Sequence, residues 1–215
     1  MDVGILGTGI VGKTIGSRLV ELGHNVKMGS RQSNNDSARA WARAAGRNAS
    51  YGTYAEAGAF GEILFNCTAG RGSLSALDSI KNADLNDKIL IDIANPLDFS
   101  RGMPPLLTVC NYDSLGEQIQ REHPTLRVVK ALNTMNVDVM VHPKRVRGPH
   151  DALLCGNDSN AKSFVTKILI EWFGWENVID LGDITNSRGM EMAVPLWISL
   201  QKKLGTNIFN FKIAL

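Results

Sequence analysis

Eight residues near the N-terminus hold the densest chemistry in the chain: Gly7-Thr8-Gly9-Ile10-Val11-Gly12-Lys13-Thr14. They satisfy two phosphate-binding patterns at once. As G-x-G-x-x-G they are a dinucleotide fingerprint, and as G-x-x-x-x-G-K-T they are a Walker A loop. In the first pattern one glycine makes a tight turn, the next lets the backbone approach a pyrophosphate, and the third lets the helix pack on its strand. In the second, Lys13 would reach the β/γ-phosphates and Thr14 a magnesium ion. A Walker B strand could then be Ile89-Leu90-Ile91-Asp92.

A later pair of residues bears on the choice. About 20 residues after its glycines, a dinucleotide protein places the group that reads the adenosine ribose: an acid for NAD, an arginine for NADP. Here that stretch is Met28-Gly29-Ser30-Arg31, a hydroxyl and a guanidinium with no carboxylate. The pair suits a phosphate dianion, and the missing acid counts against an S-adenosylmethionine site. Ser30-Arg31 can also be read as an exposed turn. The balance favours a dinucleotide, with Lys13 and Thr14 on the polar face of the first helix.

Other reactive groups are sparse. Cys67, Cys110 and Cys155 are odd in number and widely spaced, which fits neither a disulfide framework nor a zinc site. Cys67 and Cys155 lie in apolar runs and read as small buried side chains. His24, His123, His142 and His150 are scattered over loops, where histidines are usually solvated; His142 stands nearest the expected pocket. No cluster has metal-ligand spacing, so no metal is expected.

Positioning these groups requires a framework of alternating strands and helices. Apolar runs predict strands at Asp2–Leu6, Asn25–Met28, Ile63–Cys67, Lys88–Ile93, Arg127–Ala131, Asp151–Cys155 and Asn177–Leu181, with a weaker one near Ser50–Tyr51. Amphipathic runs predict helices at Val11–Leu22, Asp36–Ala45, Ser73–Lys81, Ser114–Glu122, Asn160–Trp172 and Ser187–Leu204. Such alternation implies an α/β fold: a Rossmann-type, doubly wound, mostly parallel sheet. Pro195 should kink or break the last helix. Asn95–Pro105 is the longest irregular connection, a length that usually marks function or mobility. Trp172 and Trp175 flank Gly174, where a helix should end, and read as packing.

The 215 residues suit one full-sized domain with a small C-terminal appendage; the expected division is 1–185 for dinucleotide binding and 186–215 as a helical segment. A net charge of +2, with no long basic run, argues against a nucleic-acid or membrane-surface partner. No apolar stretch approaches the roughly 18 residues of a membrane span. The N-terminus enters a strand with no basic region or cleavage site before it. A cytoplasmic location without membrane insertion is therefore expected.

Together, Gly7–Gly12, Gly29-Ser30-Arg31 and Asn186-Ser187-Arg188-x-x-Glu191 resemble the deazaflavin (coenzyme F-420)-dependent NADP reductase family. Leu154-Cys155-Gly156-Asn157-Asp158 fits as well. Val128-Val129-Lys130-Ala131-Leu132-Asn133-Thr134 is similar to the cytoplasmic reductase domain of the six-transmembrane metalloreductases. The likeness runs in matching order from Met1 to Leu215 and displaces the P-loop alternative.

The resemblance implies that NADP lies across the C-terminal ends of the strands. Gly7, Thr8, Gly9, Ile10, Val11 and Gly12 would hold the pyrophosphate, and Ser30 with Arg31 the 2′-phosphate. Thr68, Ala69 and Ser73, then Ala94, Asn95 and Pro96, would line the nicotinamide side. Asn95-Pro96 is also a common turn dipeptide. The implied reaction is hydride transfer between the nicotinamide and a deazaflavin, which needs ring positioning more than acid–base help. No catalytic triad is therefore expected, and no catalytic residue is assigned. At Asn133 the chain departs from deazaflavin-using members, which carry a His near the coenzyme. That leaves the small acceptor open to a deazaflavin, a flavin, a quinone or another electrophile. Met190, Met192, Trp197 and Leu200 could wall the pocket or meet a partner subunit, but read first as core packing. A homodimer is expected by analogy alone. From another class, the alternative is an NADP(H)-binding sensor without turnover.

Overall fold

The computed structural model describes residues 1–214. The chain runs β1 (Asp2–Leu6), α1 (Ile10–Glu21), β2 (Asn25–Ser30), α2 (Asp36–Ala45), β3 (Ala49–Thr53), α3 (Tyr54–Phe60) and β4 (Ile63–Asn66). It continues through α4 (Ser73–Asp78), α5 (Asn82–Leu85), β5 (Ile89–Asp92), β6 (Leu97–Asp98), β7 (Leu106–Leu107), α6 (Leu115–Glu122) and β8 (Arg127–Ala131). Then follow α7 (Val137–Val141), β9 (Ala152–Gly156), α8 (Ser159–Ile168), β10 (Val178–Asp180) and α9 (Ser187–Leu204).

Eight strands form one sheet in the order β10-β9-β8-β5-β4-β1-β2-β3. The six from β3 to β8 are parallel and follow the Rossmann order, with the strand order reversing between β1 and β4. The seventh, β9, is antiparallel to β8. Helices cover both faces, which is why the central strands are apolar on both sides. One core packs α1, α2, α7 and α8 on the sheet through Ile15, Leu19, Trp41, Val139 and Val165. The other packs α3 to α6 through Ala57, Leu77, Leu85 and Ile119.

Local signals explain the elements that matter for the site. In α1, Gly12, Ile15, Gly16 and Leu19 form one buried stripe, and the helix stops before Gly23, whose φ is +87°. Asn35 caps α2 by accepting from the Ala38 N–H (2.9 Å). A capping box starts α3: Thr53 Oγ1 accepts from Glu56 N (3.1 Å), and Thr53 N donates to Glu56 Oε2 (2.6 Å).

Three expectations change. The irregular stretch after Asn95 contains a small antiparallel hairpin, β6–β7. Helix α9 runs unbroken across Pro195. The predicted Ser73–Lys81 helix ends at Asp78. The segment Leu169–Phe173 widens into a π turn before Gly174, at φ +83°, ends the helix. Trp175 is buried there and donates Nε1–H to the Met140 carbonyl (3.0 Å), and Trp172 lies against His24 at a tilt, so both tryptophans pack. Leu215, the last residue of the expected C-terminal segment, lies outside the described residues. No helix among them is long and apolar enough to cross a membrane.

Candidate functional site

Parallel strands in register bring their C-terminal ends to one edge of the sheet. Gly29, Leu6, Asn66, Asp92 and Lys130 are register partners across β2, β1, β4, β5 and β8. Just beyond this row, next to the point where strand order reverses, lies a cleft of about 770 Å³. It is lined by Gly7, Thr8 and Gly9 after β1, by Ser30 at the end of β2 with Arg31 after it, and by Thr53, Tyr54 and Ala55 at the start of α3. Cys67, Thr68, Ala69, Arg71 and Gly72 follow β4, and Ser75, Ala76 and Ser79 complete the wall.

The glycines divide their labour. Gly7 has φ +121° and donates its N–H to the Gly29 carbonyl (3.0 Å), which turns the chain sharply out of β1. A Cβ on Gly12 would stand 2.2 Å from the Gly7 carbonyl oxygen, so the helix seats on its own turn only without a side chain there. A Cβ on Gly9 would meet no atom within 4 Å, only open space on the cleft. Gly9 caps α1 without a side-chain hydrogen bond, and no acid stands in the first turn. The helix N-terminus thus offers free N–H groups and a positive dipole end to an anion. A bulky anionic group fits this cradle.

Arg31 is exposed on the cleft rim and makes no hydrogen bond or ion pair among the described residues. Ser30 is different: it is buried, and its hydroxyl donates to the Gln32 carbonyl (2.6 Å). The pair is therefore not simply an exposed turn: the serine shapes the loop and the arginine is free. The Walker geometry is not formed. Lys13 and Thr14 line a separate depression with Ser17, Val141 and His142. Asp92 is wholly buried, accepting from Asn66 Nδ2 (2.8 Å) and Lys130 Nζ (2.8 Å).

Beneath the cleft the polar side chains are locked together. Thr68 Oγ1 donates to Asn66 Oδ1 (2.8 Å), Asn66 Nδ2 donates to Ser73 Oγ (3.0 Å), and the Ser73 and Thr68 hydroxyls lie 2.8 Å apart. Thr68 and Ala69 border the cleft, whereas Ser73 is wholly buried behind its wall. Ala94, Pro96 and Asn133 are likewise buried, outside the cleft lining. Asn133 Nδ2 donates to Asn95 Oδ1 (2.8 Å) and to the Met190 carbonyl (3.1 Å), and its Oδ1 is a buried acceptor without a partner among the described residues. Leu132, just before it, takes φ +61°, a left-handed conformation that a leucine rarely adopts and that a packed surrounding must hold.

Sequence reasoning missed Asp92, Lys130 and Glu191 as a unit. Lys130 Nζ lies 2.8 Å from both Asp92 Oδ2 and Glu191 Oε1, and it also donates to the Ala94 carbonyl; the lysine and the aspartate are fully buried and the glutamate nearly so. Glu191 also accepts the Leu115 N–H (2.9 Å) and the Gly116 N–H (3.1 Å) at the start of α6. Burial raises the Glu191 carboxyl against the pull of Lys130. Ser187 and Ser114 hydroxyls lie 2.6 Å apart, and Arg188 makes a two-pronged pair with Glu117. The motif Ser187-Arg188-x-x-Glu191 thus fastens α9 to α6 and the sheet. Arg71 was also missed, for want of any motif around it.

The remaining candidates lie elsewhere. His142 is exposed on the far side of α1, and His150 packs edge-on against Trp175. His123 is buried, contrary to the solvated expectation, because the α6 cap turns it inward. Burial pushes the Cys67 thiol up, and the Cys155 thiol up to about 12; Cys110 is exposed. Met190 is buried and Trp197 stacks on Phe209, while Met192 is exposed. A larger groove of about 870 Å³, between Met103-Pro104 and the end of α9, contains none of the expected site residues.

A glycine cradle at the strand-order reversal of a doubly wound sheet defines a Rossmann-type dinucleotide-binding protein. The profile of the family described as NADP oxidoreductase, coenzyme F420-dependent, matches residues 2–96. A crystal structure of a candidate F420-dependent NADP reductase from Arthrobacter sp. FB24 is 46% identical, with TM-score 0.95 and 100% of both chains covered. The chain belongs to this NADP-dependent oxidoreductase family. It is also 29% identical over 197 residues to metalloreductase STEAP3 of Rattus norvegicus, covering 90% of this chain and 36% of that protein. The chain therefore spans about a third of that relative's length. An imine reductase from Aspergillus terreus shares the fold, with TM-score 0.65 at 16% identity over 95% of this chain and 62% of that one.

Proposed function

We propose that the protein is an oxidoreductase that transfers a hydride between NADP(H) and a small acceptor of the deazaflavin or flavin type. The observation that carries this reading is the open cradle at Gly9, with the unpaired Arg31 on its rim. Gly7 to Gly12 would hold the pyrophosphate on the free N–H groups of α1, and Arg31 the 2′-phosphate, with Ser30 setting the loop. Thr68 and Ala69 would carry the cofactor onward, backed by Ser73 and by Ala94-Asn95-Pro96. Asn133, buried outside the cleft lining, would back the nicotinamide end of the site through its hydrogen bond to Asn95. Bound there, the nicotinamide supplies or takes up the hydride. The protein holds the rings and excludes water, so the cleft needs no titrating acid or base. Residues 186–215 would close the acceptor side and pair two copies as a homodimer.

The test is NADPH consumption in the presence of deazaflavin, riboflavin, FMN, FAD and a quinone in turn. Turnover with one of them supports the reading and names the acceptor class. Binding of NADPH without consumption by any of them would replace it with a sensor role.

A further inference from the structure

The cleft carries a second unpaired guanidinium. Of the arginines that make no hydrogen bond or ion pair among the described residues, Arg31 and Arg71 are the two that line it. They leave the sheet on opposite sides of the glycine turn, since β2 and β4 are the two neighbours of β1. Strands lie about 4.8 Å apart, so the two exits are about 10 Å from each other with Gly7–Gly9 between them.

The turn that bears Arg71 is held firmly. Gly70 lies so close to the next strand's exit loop that a Cβ on it would stand 2.2 Å from the Asn95 carbonyl oxygen. A single 3-10 turn, Gly70–Gly72, then presents Arg71 to solvent on the cleft. Hydrogen bonds from Ser100, then Arg101 and Arg71, hold the Asp98 carboxyl below its usual range, but Arg71 forms no ion pair with it.

Two separated cations call for a ligand with two separated anionic groups. NADP(H) has them, in its bridging pyrophosphate and its 2′-phosphate. The N-terminus of α1 meets the pyrophosphate from one side with partial charge alone. We infer that Arg71 is a second phosphate-binding residue, closing on the bridging pyrophosphate opposite the helix while Arg31 takes the 2′-phosphate. This deepens the NADP(H) reading and rests on it.

The test is a set of competition titrations. Wild type, Arg71→Ala and Arg31→Ala compete bound NADPH with ADP-ribose, which has only the bridging pyrophosphate, and with 2′-AMP, which has only the 2′-phosphate. Arg71→Ala should weaken NADPH and ADP-ribose about ten- to a hundredfold and leave 2′-AMP unchanged. Arg31→Ala should do the reverse for the two fragments. Arg71→Lys should recover part of the loss, as a point charge without the fork. Unchanged binding in Arg71→Ala, or a loss confined to 2′-AMP, overturns the inference and leaves the NADP(H) reading standing. Wild type that binds no NADPH overturns both.

Discussion

Asn95 and Asn133 hold each other by two hydrogen bonds: Asn133 Nδ2 donates to Asn95 Oδ1 (2.8 Å), and Asn95 Nδ2 donates to the Asn133 carbonyl (2.9 Å). The pair ties the exit loop of β5 to that of β8, and the Met190 carbonyl extends it to α9. Replacing Asn133 by Ala removes the shared donor and leaves Asn95 Oδ1 and the Met190 carbonyl short of a partner. The expected loss is about 1–3 kcal/mol of stability, read by urea unfolding.

Gly9 and Gly12 should separate folding from binding. Gly9→Val places its side chain in open space, so stability should fall by only about 1 kcal/mol, the cost of a poorer helix cap. NADPH binding should nevertheless fall about tenfold or more, because the backbone can no longer approach the pyrophosphate. Gly12→Ala drives a methyl into the Gly7 carbonyl and should itself destabilise by about 1–3 kcal/mol. Thermal melts with and without NADPH would show both effects; normal NADPH binding by Gly9→Val would remove the pyrophosphate from this turn.

Arg31→Ala should weaken NADPH by about 1.5–3 kcal/mol, the range for a hydrogen bond to a charged group. NADH should barely change. Equal weakening of both would mean that Arg31 does not read the 2′-phosphate.

Lys130 gives a pH signature. Its burial pulls the ammonium down, but Asp92 and Glu191 outweigh that and hold it above the ordinary lysine range. A lysine raised in this way contributes stability that is whole below its unfolded pKa and is lost as pH rises through the folded one. Lys130→Met strands two buried carboxylates and should cost about 3–5 kcal/mol near neutral pH. The gap from wild type should hold up to about pH 10 and narrow above it. A gap that widened with alkali would refute the assignment.

Thiol labelling should find one reactive cysteine in the folded protein, Cys110. Cys67 and Cys155 are buried, and burial keeps both thiols protonated, so they should react only on unfolding.

The parallel half of the sheet was legible because Val3, Ile5, Leu64, Phe65, Leu90 and Ile91 form short apolar runs between helices. Strand β3 was faint, since Ala49-Ser50-Tyr51-Gly52-Thr53 is an edge strand with little to bury. The reversal at β9 left no trace, because alternation and apolarity do not encode strand direction. Pro195 does not break α9: it forfeits one backbone hydrogen bond, the helix continues past it, and Ser199 Oγ donates to the Pro195 carbonyl (3.0 Å). At the site, Gly7, Gly9 and Arg31, which spacing singled out, do line the cleft. The linkage of Lys130 to Glu191 was not legible, because the partners are far apart in sequence and only the packing of α9 brings them together.

Calorimetric titration with NADPH, NADH and Mg-ATP side by side tests the central assignment most directly. NADPH should bind at least about tenfold more tightly than NADH, from the Arg31 contact, and Mg-ATP should give no heat. Binding of Mg-ATP with none of NADPH would contradict it and return Gly7–Thr14 to the nucleoside-triphosphate reading.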